Sequence, residues 1–339
     1  MRPWHLPAAA AAFLIGALAS FNARSGPAPE QRLDGFNVIA SPGRPFGTGS
    51  AKLSLANAKQ LGASVIAVIP FFWQANPASP NLVRGKDMPD EELRAAIRDA
   101  HELGLAVVVK PHVWVPQSWA GAVVMNSDES WRQWFANYRT ELDHIAHIAE
   151  QEHAEALAVG TELAKTSQRS EWDTLISDAR GIYPGRLFYV AHNMEEAEMV
   201  PFWHSLDAVG ASLYPPLGDD DDRVGRRTKM HAIADRLDTL AARTGKSIIV
   251  GEIGLRSAQG AAARPWQSPE ERASAPAPKL QADVLADWLA VLKRPSIQSI
   301  LIWCWLTDPD AGGLKDTDFT VQGKPAERTL QCAWTGACE

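Results

Sequence analysis

The chain has too few basic residues, too widely spread, to form a surface for nucleic acid. Its 33 Lys and Arg are outnumbered by 40 Asp and Glu, which gives a net charge of −7 and a pI near 5.8. Binding to phosphate backbones needs clustered Lys and Arg, and no such cluster occurs in the sequence. A neutral or small partner is therefore expected.

Cysteine is scarce as well, with three in 339 residues. Cys304 stands in the apolar stretch SILIWCW with no nearby His or Cys to complete a zinc site, so it is interpreted as a buried free thiol. Cys332 and Cys338 lie together at the end of the chain in CAWTGAC. In an exported protein this pair predicts a short terminal disulfide.

Long hydrophobic runs are missing after the N-terminus. The first residues combine a basic Arg2, an apolar run from Ala8 to Leu18 and a small-residue triplet at 17–19 that fits signal-peptidase cleavage. We interpret residues 1–19 as a signal peptide and residues 20–33 as a linker, so the protein is expected to be secreted or periplasmic. The alternative is an uncleaved anchor, although the run is shorter than the ~20 residues of a spanning helix.

Eight apolar runs of strand length recur along the rest of the chain, and 46% of its residues are hydrophobic. Amphipathic helical patterns separate most of them, for example over 129–153. Strands alternating with helices indicate a parallel sheet. Eight units fit a (β/α)8 TIM barrel over 34–339 better than an open doubly wound sheet, which usually has five or six strands. The runs are GFNVIA, SVIAVIPFF, LAVVVKPHVWV, EALAVGTEL, RLFYVAHN, LDAVGASLY, SIIVGEIG and IQSILIWCW.

The residues that close these runs are the candidate active site, because the carboxyl ends of the strands form the catalytic face of such a barrel. The candidates are polar or aromatic: Asn37, Trp73, Gln74, Lys110, His112, Trp114, Thr161, Glu162, His192, Asn193, Tyr214, Glu252, Trp303 and Trp305. Among them Glu162 and Glu252 each follow an apolar run and a glycine, at the ends of the fourth and seventh predicted strands.

Two glutamates on opposite sides of one barrel mouth fit hydrolysis of a glycosidic bond with retention. That reaction needs a protonated acid and a nucleophilic carboxylate about 5 to 5.5 Å apart, and it needs no metal or organic cofactor. Indole rings stack on the apolar faces of sugars, while Asn, Gln, Lys and His bond to their hydroxyls. Lys110, His112 and Tyr214 are the donors expected to keep Glu252 ionised.

Three local sequences resemble glycoside hydrolase family 113, within the large barrel clan of cellulases and mannanases. They are KPHVW (110–114), VGTELA (159–164) and VGEIG (250–254), and the resemblance extends over about 35–307. It implies a (β/α)8 fold, a retaining mechanism and β-mannanase activity, with Glu162 as general acid/base and Glu252 as nucleophile. Much of the clan has Asn before the acid/base, where this chain has Thr161. A shorter side chain would then contact the sugar 2-hydroxyl.

The sequence thus predicts an exported, monomeric hydrolase of β-linked polysaccharide or oligosaccharide, with β-mannan as the leading substrate. Another β-glycan, such as β-glucan or the organism's own exopolysaccharide, is the first alternative. A non-catalytic carbohydrate-binding barrel is the second. Structural interpretations of single residues also stay open: Glu252 could pair with Arg256 or Lys110, Glu162 could begin a helix, and His112 and Tyr214 could be core residues.

Overall fold

The computed structural model describes residues 32–338. The predicted signal peptide and nearly all of the predicted linker lie outside these residues, and the first strand begins at Leu33. Within the described part of the chain, no helix is long and apolar enough to cross a membrane.

Strands and helices alternate along the chain, with helix α3 close to the amphipathic pattern that predicted it. The strands are β1 (Leu33–Ile39), β2 (Val65–Val68), β3 (Phe71–Gln74), β4 (Leu82–Arg84), β5 (Ala106–Val109), β6 (His112–Trp114), β7 (Ala156–Thr161), β8 (Arg186–His192), β9 (Ala208–Leu213), β10 (Ile248–Ile253) and β11 (Ile297–Leu306). The helices are α1 (Gly49–Gln60), α2 (Asp90–Glu102), α3 (Asp128–Gln151), α4 (Glu171–Ile182), α5 (Asn193–Ala197), α6 (Arg223–Thr244), α7 (Pro278–Val291) and α8 (Pro325–Thr335).

Eight of the strands close into a parallel barrel in the order β1-β11-β10-β9-β8-β7-β5-β2. All eight predicted runs supply one barrel strand each, so the predicted (β/α)8 barrel is confirmed. Apolar side chains such as Ala67, Val108, Phe188 and Ile249 fill the interior, and a larger apolar cluster lies between the strands and the helices. This packing matches the layered core of such barrels.

Prolines divide two of the predicted runs. Pro70 follows β2 and Pro111 follows β5, and neither can donate a backbone hydrogen bond to continue a barrel strand. The chain beyond each proline forms β3 and β6, which pair with each other and with β4 in a separate three-stranded sheet. Because β3 and β6 continue from the carboxyl ends of β2 and β5, this sheet extends the catalytic end of the barrel.

The strand register breaks near the carboxyl ends of β7, β10 and β11. In β10 the pairing with β9 jumps from Val250 to Glu252, and in β11 the pairing with β1 jumps from Trp303 to Trp305. Such bulges change the face to which the following side chains point. Glycines permit close packing near the ends of β7 and β10, because a Cβ at Gly160 or Gly251 would lie 2.8 Å from a neighbouring side chain.

The cysteines are arranged as predicted. Cys332 and Cys338 form a disulfide at the end of α8, and Cys304 is a buried free thiol. Burial raises the pKa of the Cys304 thiol well above its usual range, so this sulfur stays protonated.

Replacing Gly160 tests whether close packing near the end of β7 holds the barrel mouth. A Cβ there would meet the buried rings of Trp172 at 2.8 Å and Tyr189 at 3.0 Å. We expect Gly160→Ala to lower the free energy of unfolding by about 1–3 kcal/mol in urea titrations. The control Gly181→Ala, at a helical site with open space, should be neutral or stabilising. Equal stability of both variants would contradict the packing described here.

Candidate active site

Glu252 is a buried carboxylate with a cation and a phenol as its partners. It lies near the end of β10 with 4% of its surface exposed, and Lys110, fully buried at the end of β5, donates from Nζ to Oε1. The Tyr214 hydroxyl donates to Oε2 at 3.3 Å. Both donors favour the ionised carboxylate, which offsets the cost of burying a charge.

The Tyr214 phenol is suited to remain a donor. Burial raises its pKa well above the usual range, and the negative charge of Glu252 raises it further. Arg256, one of the two structural partners considered for Glu252, is used elsewhere and donates to the backbone carbonyls of Thr317, Ser268 and Arg272. The other considered partner, Lys110, does contact Glu252.

Glu162 follows β7 in a left-handed backbone conformation, with φ of 56°. That conformation costs about 1–2 kcal/mol for a residue with a Cβ, and a 2.7 Å hydrogen bond from Glu162 N to Val190 O stabilises it. The side chain contacts two imidazoles: His192 Nδ1 lies 3.1 Å from Oε1, and His112 Nε2 lies 3.9 Å from Oε2. His112 was expected to support Glu252, so that prediction is wrong: β6 directs it to Glu162.

The two histidines reverse the expected direction of the Glu162 pKa. Burial raises this pKa, but contacts with His112 and His192 outweigh burial and bring it below its ordinary value. Conversely, burial lowers the pKa of His192 while the Glu162 carboxylate raises it, with a net upward shift. Burial and a neighbouring carboxylate alone would raise the pKa of a general acid. The imidazole partners, which the sequence does not indicate, reverse that direction.

Asn193 connects the surroundings of the two glutamates. Its Nδ2 lies 3.0 Å from His192 Nε2, and its Oδ1 accepts from the backbone N–H of Tyr214 at 2.9 Å. A series of polar contacts therefore runs from Glu162 through His192 and Asn193 to the Tyr214 backbone, and the Tyr214 hydroxyl separately donates to Glu252. Asn193 is partly exposed, and its predicted contact with substrate stays a prediction.

A second buried glutamate, Glu196, fixes the loops that carry this series. It accepts from the backbone N–H of His192 and from the Tyr189 hydroxyl, each at 2.6 Å. Tyr189 in turn accepts from the backbone N–H of Leu163, the residue after Glu162, at 2.9 Å. The ends of β7 and β8 are thereby held together. The sequence argument did not identify Glu196.

The small sheet presents one aromatic face to solvent. Trp73 and Trp114 are directly paired in β3 and β6, their ring centroids are 5.9 Å apart, and they are 39% and 48% exposed. Large aromatic side chains are usually buried, so an exposed pair at the catalytic end of a barrel marks a surface for an apolar ligand face. His112 shares the β6 face with Trp114, two residues apart, and so connects this surface to Glu162.

Trp303 and Trp305 point in different directions, although strand alternation predicts one direction for both. The Trp303 ring lies 5.6 Å from Lys110 Nζ, beside the Glu252 pair. Trp305 is buried, packs on Phe36 and donates to Ser54 in α1. The prediction of Trp305 as a substrate contact is wrong, because the register break in β11 turns it toward the helix layer.

Three other predicted substrate contacts are buried and occupied by protein groups. Gln74, on the face of β3 opposite Trp73, accepts from Trp134 Nε1 and donates to Asn76 O. Thr161 donates to Pro111 O at 3.0 Å, and Asn37 donates to the carbonyls of Gly251 and Leu301. All three are at most 1% exposed. These side chains therefore support the site from within the protein. Their direction was not predictable, because the sequence shows that a residue ends a strand and not which way its side chain points.

Trp119 was missed by the sequence argument. It lies in the loop after β6, is 44% exposed, and its ring centroid is 4.6 Å from that of His192. Its position in the polar loop VPQSWAG was the only available signal, since no strand or helix periodicity places it. Within residues 32–338 no group of three or more His, Cys, Asp or Glu is arranged to hold a metal ion.

Comparison with known families decides what kind of site this is. The sequence profile of glycoside hydrolase family 113 matches residues 36–324, most of the chain. The chain belongs to this family. It is therefore a glycoside hydrolase. No curated protein sequence matches the chain significantly.

Solved structures agree with this family assignment. A family 113 β-mannanase from Alicyclobacillus acidocaldarius has a TM-score of 0.82 at 23% identity, covering 90% of this chain and 98% of its own. A family 113 β-1,4-mannanase in complex has a TM-score of 0.79 at 26% identity, covering 90% and 99%. A family 5 mannosidase from Rhizomucor miehei, at 11% identity with a TM-score of 0.65, covers 89% and 92% and shares the fold.

Removing either exposed indole should weaken binding more than chemistry. We expect Trp73→Ala and Trp114→Ala each to raise KM about ten-fold, because one stacking contact contributes about 1–1.5 kcal/mol, while kcat changes little. Steady-state kinetics on a soluble polysaccharide measures both constants. Leu53→Ala, at an exposed apolar position on α1, is the control and should change neither. An unchanged KM in both tryptophan variants would remove the aromatic face from the substrate site.

Proposed function

We propose that this family 113 hydrolase is an exported, retaining β-mannanase in which Glu252 is the nucleophile and Glu162 the general acid/base. The observation that carries the proposal is the difference between the two carboxylates. Glu252 has a lysine and a phenol as its donors, whereas Glu162 has two imidazoles. Retention requires one ionised carboxylate and one that exchanges a proton, so the two need different surroundings.

The nucleophile's role follows from its donors. A carboxylate that attacks the anomeric carbon must be ionised before substrate binds, and Lys110 with Tyr214 stabilises that charge in a buried position. The Lys110 ammonium has no other hydrogen-bond partner among the described residues, and Nζ lies 5.6 Å from the centroid of the Trp303 ring. A purely structural ion pair would not need an aromatic wall beside it.

The acid/base must give a proton to the leaving oxygen and later take one from water. Glu162 is largely buried and bonded through Oε1 to an imidazole. The resulting scheme is double displacement: attack by Glu252 with protonation by Glu162, then attack of water on the glycosyl-enzyme with Glu162 as base.

The substrate class is inferred from the relatives and from the aromatic face. Family 113 structures of 23–26% identity carry the names β-mannanase and β-1,4-mannanase. The paired indoles of Trp73 and Trp114 suit sugar units next to the cleaved bond. Export is supported by the N-terminal sequence pattern and by the Cys332–Cys338 disulfide, a bond that persists in oxidising compartments.

The substrate assignment is tested by incubating the purified protein with a panel of β-glycans. We expect soluble oligosaccharides from mannan and glucomannan, and far less release from mixed-linkage β-glucan and cellulose, by chromatography of the products. Cleavage of only a different β-glycan would support the hydrolase assignment and assign another substrate. No release from any glycan by folded protein would favour the non-catalytic, carbohydrate-binding alternative.

The roles of the two glutamates are tested by azide rescue. We expect Glu252→Ala to unfold cooperatively but lose nearly all turnover, and azide to restore cleavage with inverted anomeric configuration. Glu162→Ala should still cleave aryl mannosides with good leaving groups, and azide should give a product of retained configuration. NMR of the first-formed product measures the configuration.

The control for both variants is Glu129→Ala, which removes a largely exposed glutamate from α3 and should keep full activity without azide. Exchange of the two azide phenotypes would reverse the role assignment. If azide restored the activity of neither variant while both remained folded, both glutamates would be assigned structural roles.

A further inference from the structure

The amide of Asn193 has only one possible orientation. Its Oδ1 accepts from the backbone N–H of Tyr214 at 2.9 Å, and a backbone N–H is always a donor. Turning the amide over would set its NH2 group against that N–H. The Nδ2 group therefore faces His192 Nε2, 3.0 Å away.

This orientation determines the state of His192. An amide NH2 has two hydrogens and no acceptor, so a hydrogen bond to it requires a lone pair on Nε2. The imidazole then carries its hydrogen on Nδ1, which lies 3.1 Å from Glu162 Oε1. Turning the ring over would move both nitrogens away from their partners. Trp119 packs over the ring with a centroid separation of 4.6 Å and further limits its rotation.

We propose that Asn193 is a positioning residue that holds His192 as the neutral Nδ1–H tautomer, so that a proton taken up by this pair for acid catalysis is carried on Oε2 of Glu162. This inference rests on the proposed role of Glu162 as the acid/base. Nδ1–H donates to Oε1, which leaves Oε2 as the oxygen that gives the proton to the leaving group and later takes one from water.

The charges around His192 favour the opposite state. Carboxylates of Glu162 on β7, Glu196 on α5 and Glu252 on β10 all favour an imidazolium. The other titratable groups that contact Glu162, Glu196 and Glu252 are His112 on β6, Tyr189 on β8, Tyr214 after β9 and the Lys110 ammonium after β5. An imidazolium would point an Nε2–H at the Asn193 NH2 group, two donors 3.0 Å apart. The hydrogen-bond geometry determines the protonation state of His192, because the Asn193 amide cannot rotate without placing its NH2 group against the Tyr214 N–H.

The consequence for catalysis is a choice between two locations of one proton. A proton on His192 either lies on Nδ1, in the hydrogen bond to Oε1, or on Nε2, on the far side of the ring. In neither position does it reach the leaving oxygen. On Glu162 Oε2 it is free to transfer. By excluding the imidazolium, Asn193 keeps the proton with the carboxyl group that uses it.

The direct test is 15N NMR of the imidazole nitrogens at pH 7, with His192→Gln used to assign the His192 signals. We expect a protonated Nδ1 and an unprotonated Nε2 in the wild-type protein. A doubly protonated ring, or the Nε2–H tautomer, would overturn the proposal. The measurement requires no turnover, so its result does not depend on whether the protein has the proposed mannanase activity.

The kinetic test uses two variants matched to the left-handed backbone of Asn193, whose φ is 54°. Asn193→Asp replaces the donor with an acceptor, and Asn193→Gly removes the side chain without backbone strain. Asp should stabilise the imidazolium and lower kcat on mannan at least ten-fold, by up to the full contribution of a general acid, about 10²–10⁴. Gly should lie between Asp and wild type.

The loss should shrink on aryl mannosides with good leaving groups, which need no acid. In Asn193→Asp the alkaline limb of the pH–activity profile should move to higher pH, because the added carboxylate raises the pKa at which the Glu162–His192 pair loses its proton. Equal losses in both variants on all substrates would indicate a merely structural role and overturn the proposal. Wild-type activity of Asn193→Asp on mannan would do the same.

Discussion

The contacts from Glu162 through His192, Asn193 and Tyr214 to Glu252 join two carboxylates that must behave differently at one barrel mouth. Each member determines the hydrogen bond of the next, because the Tyr214 backbone N–H orients the amide and the amide orients the imidazole. The Tyr214 phenol donates to Glu252. The surroundings of the two glutamates are therefore linked through Tyr214, whose backbone N–H orients Asn193 and whose hydroxyl donates to Glu252.

The backbone makes this unit possible by departing from regular strand geometry at the barrel mouth. Glu162 and Asn193 both have left-handed backbone conformations, and the register of β10 breaks just before Glu252. A regular strand would alternate side chains between core and helix layer and would direct fewer polar groups to the mouth. Such strain persists where surrounding contacts fix it. Here Glu196 provides those contacts by tying the ends of β7 and β8 together.

The sequence predicted the barrel, its eight strands and the two glutamates, because apolar runs and the residues that close them are local features. It did not predict side-chain direction after a bulge: Trp305 packs against α1 instead of facing the mouth. The contacts of Asn193 with His192 and Tyr214 were not predicted, because they join the ends of different strands. Trp119 was missed because a loop has no periodicity to place it. Local pattern thus identifies the residues, and tertiary geometry assigns their roles.

The central claim is that Glu252 becomes covalently bound to sugar during the reaction, and trapping that intermediate tests it most directly. A 2-deoxy-2-fluoro-mannosyl fluoride slows both steps, and its good leaving group lets the intermediate accumulate. Mass spectrometry of the intact protein and of its peptides should show one added fluorosugar, attached to Glu252 in the peptide that contains VGEIG. Attachment to Glu162, or time-dependent inactivation of the enzyme with no sugar on Glu252, would contradict the account.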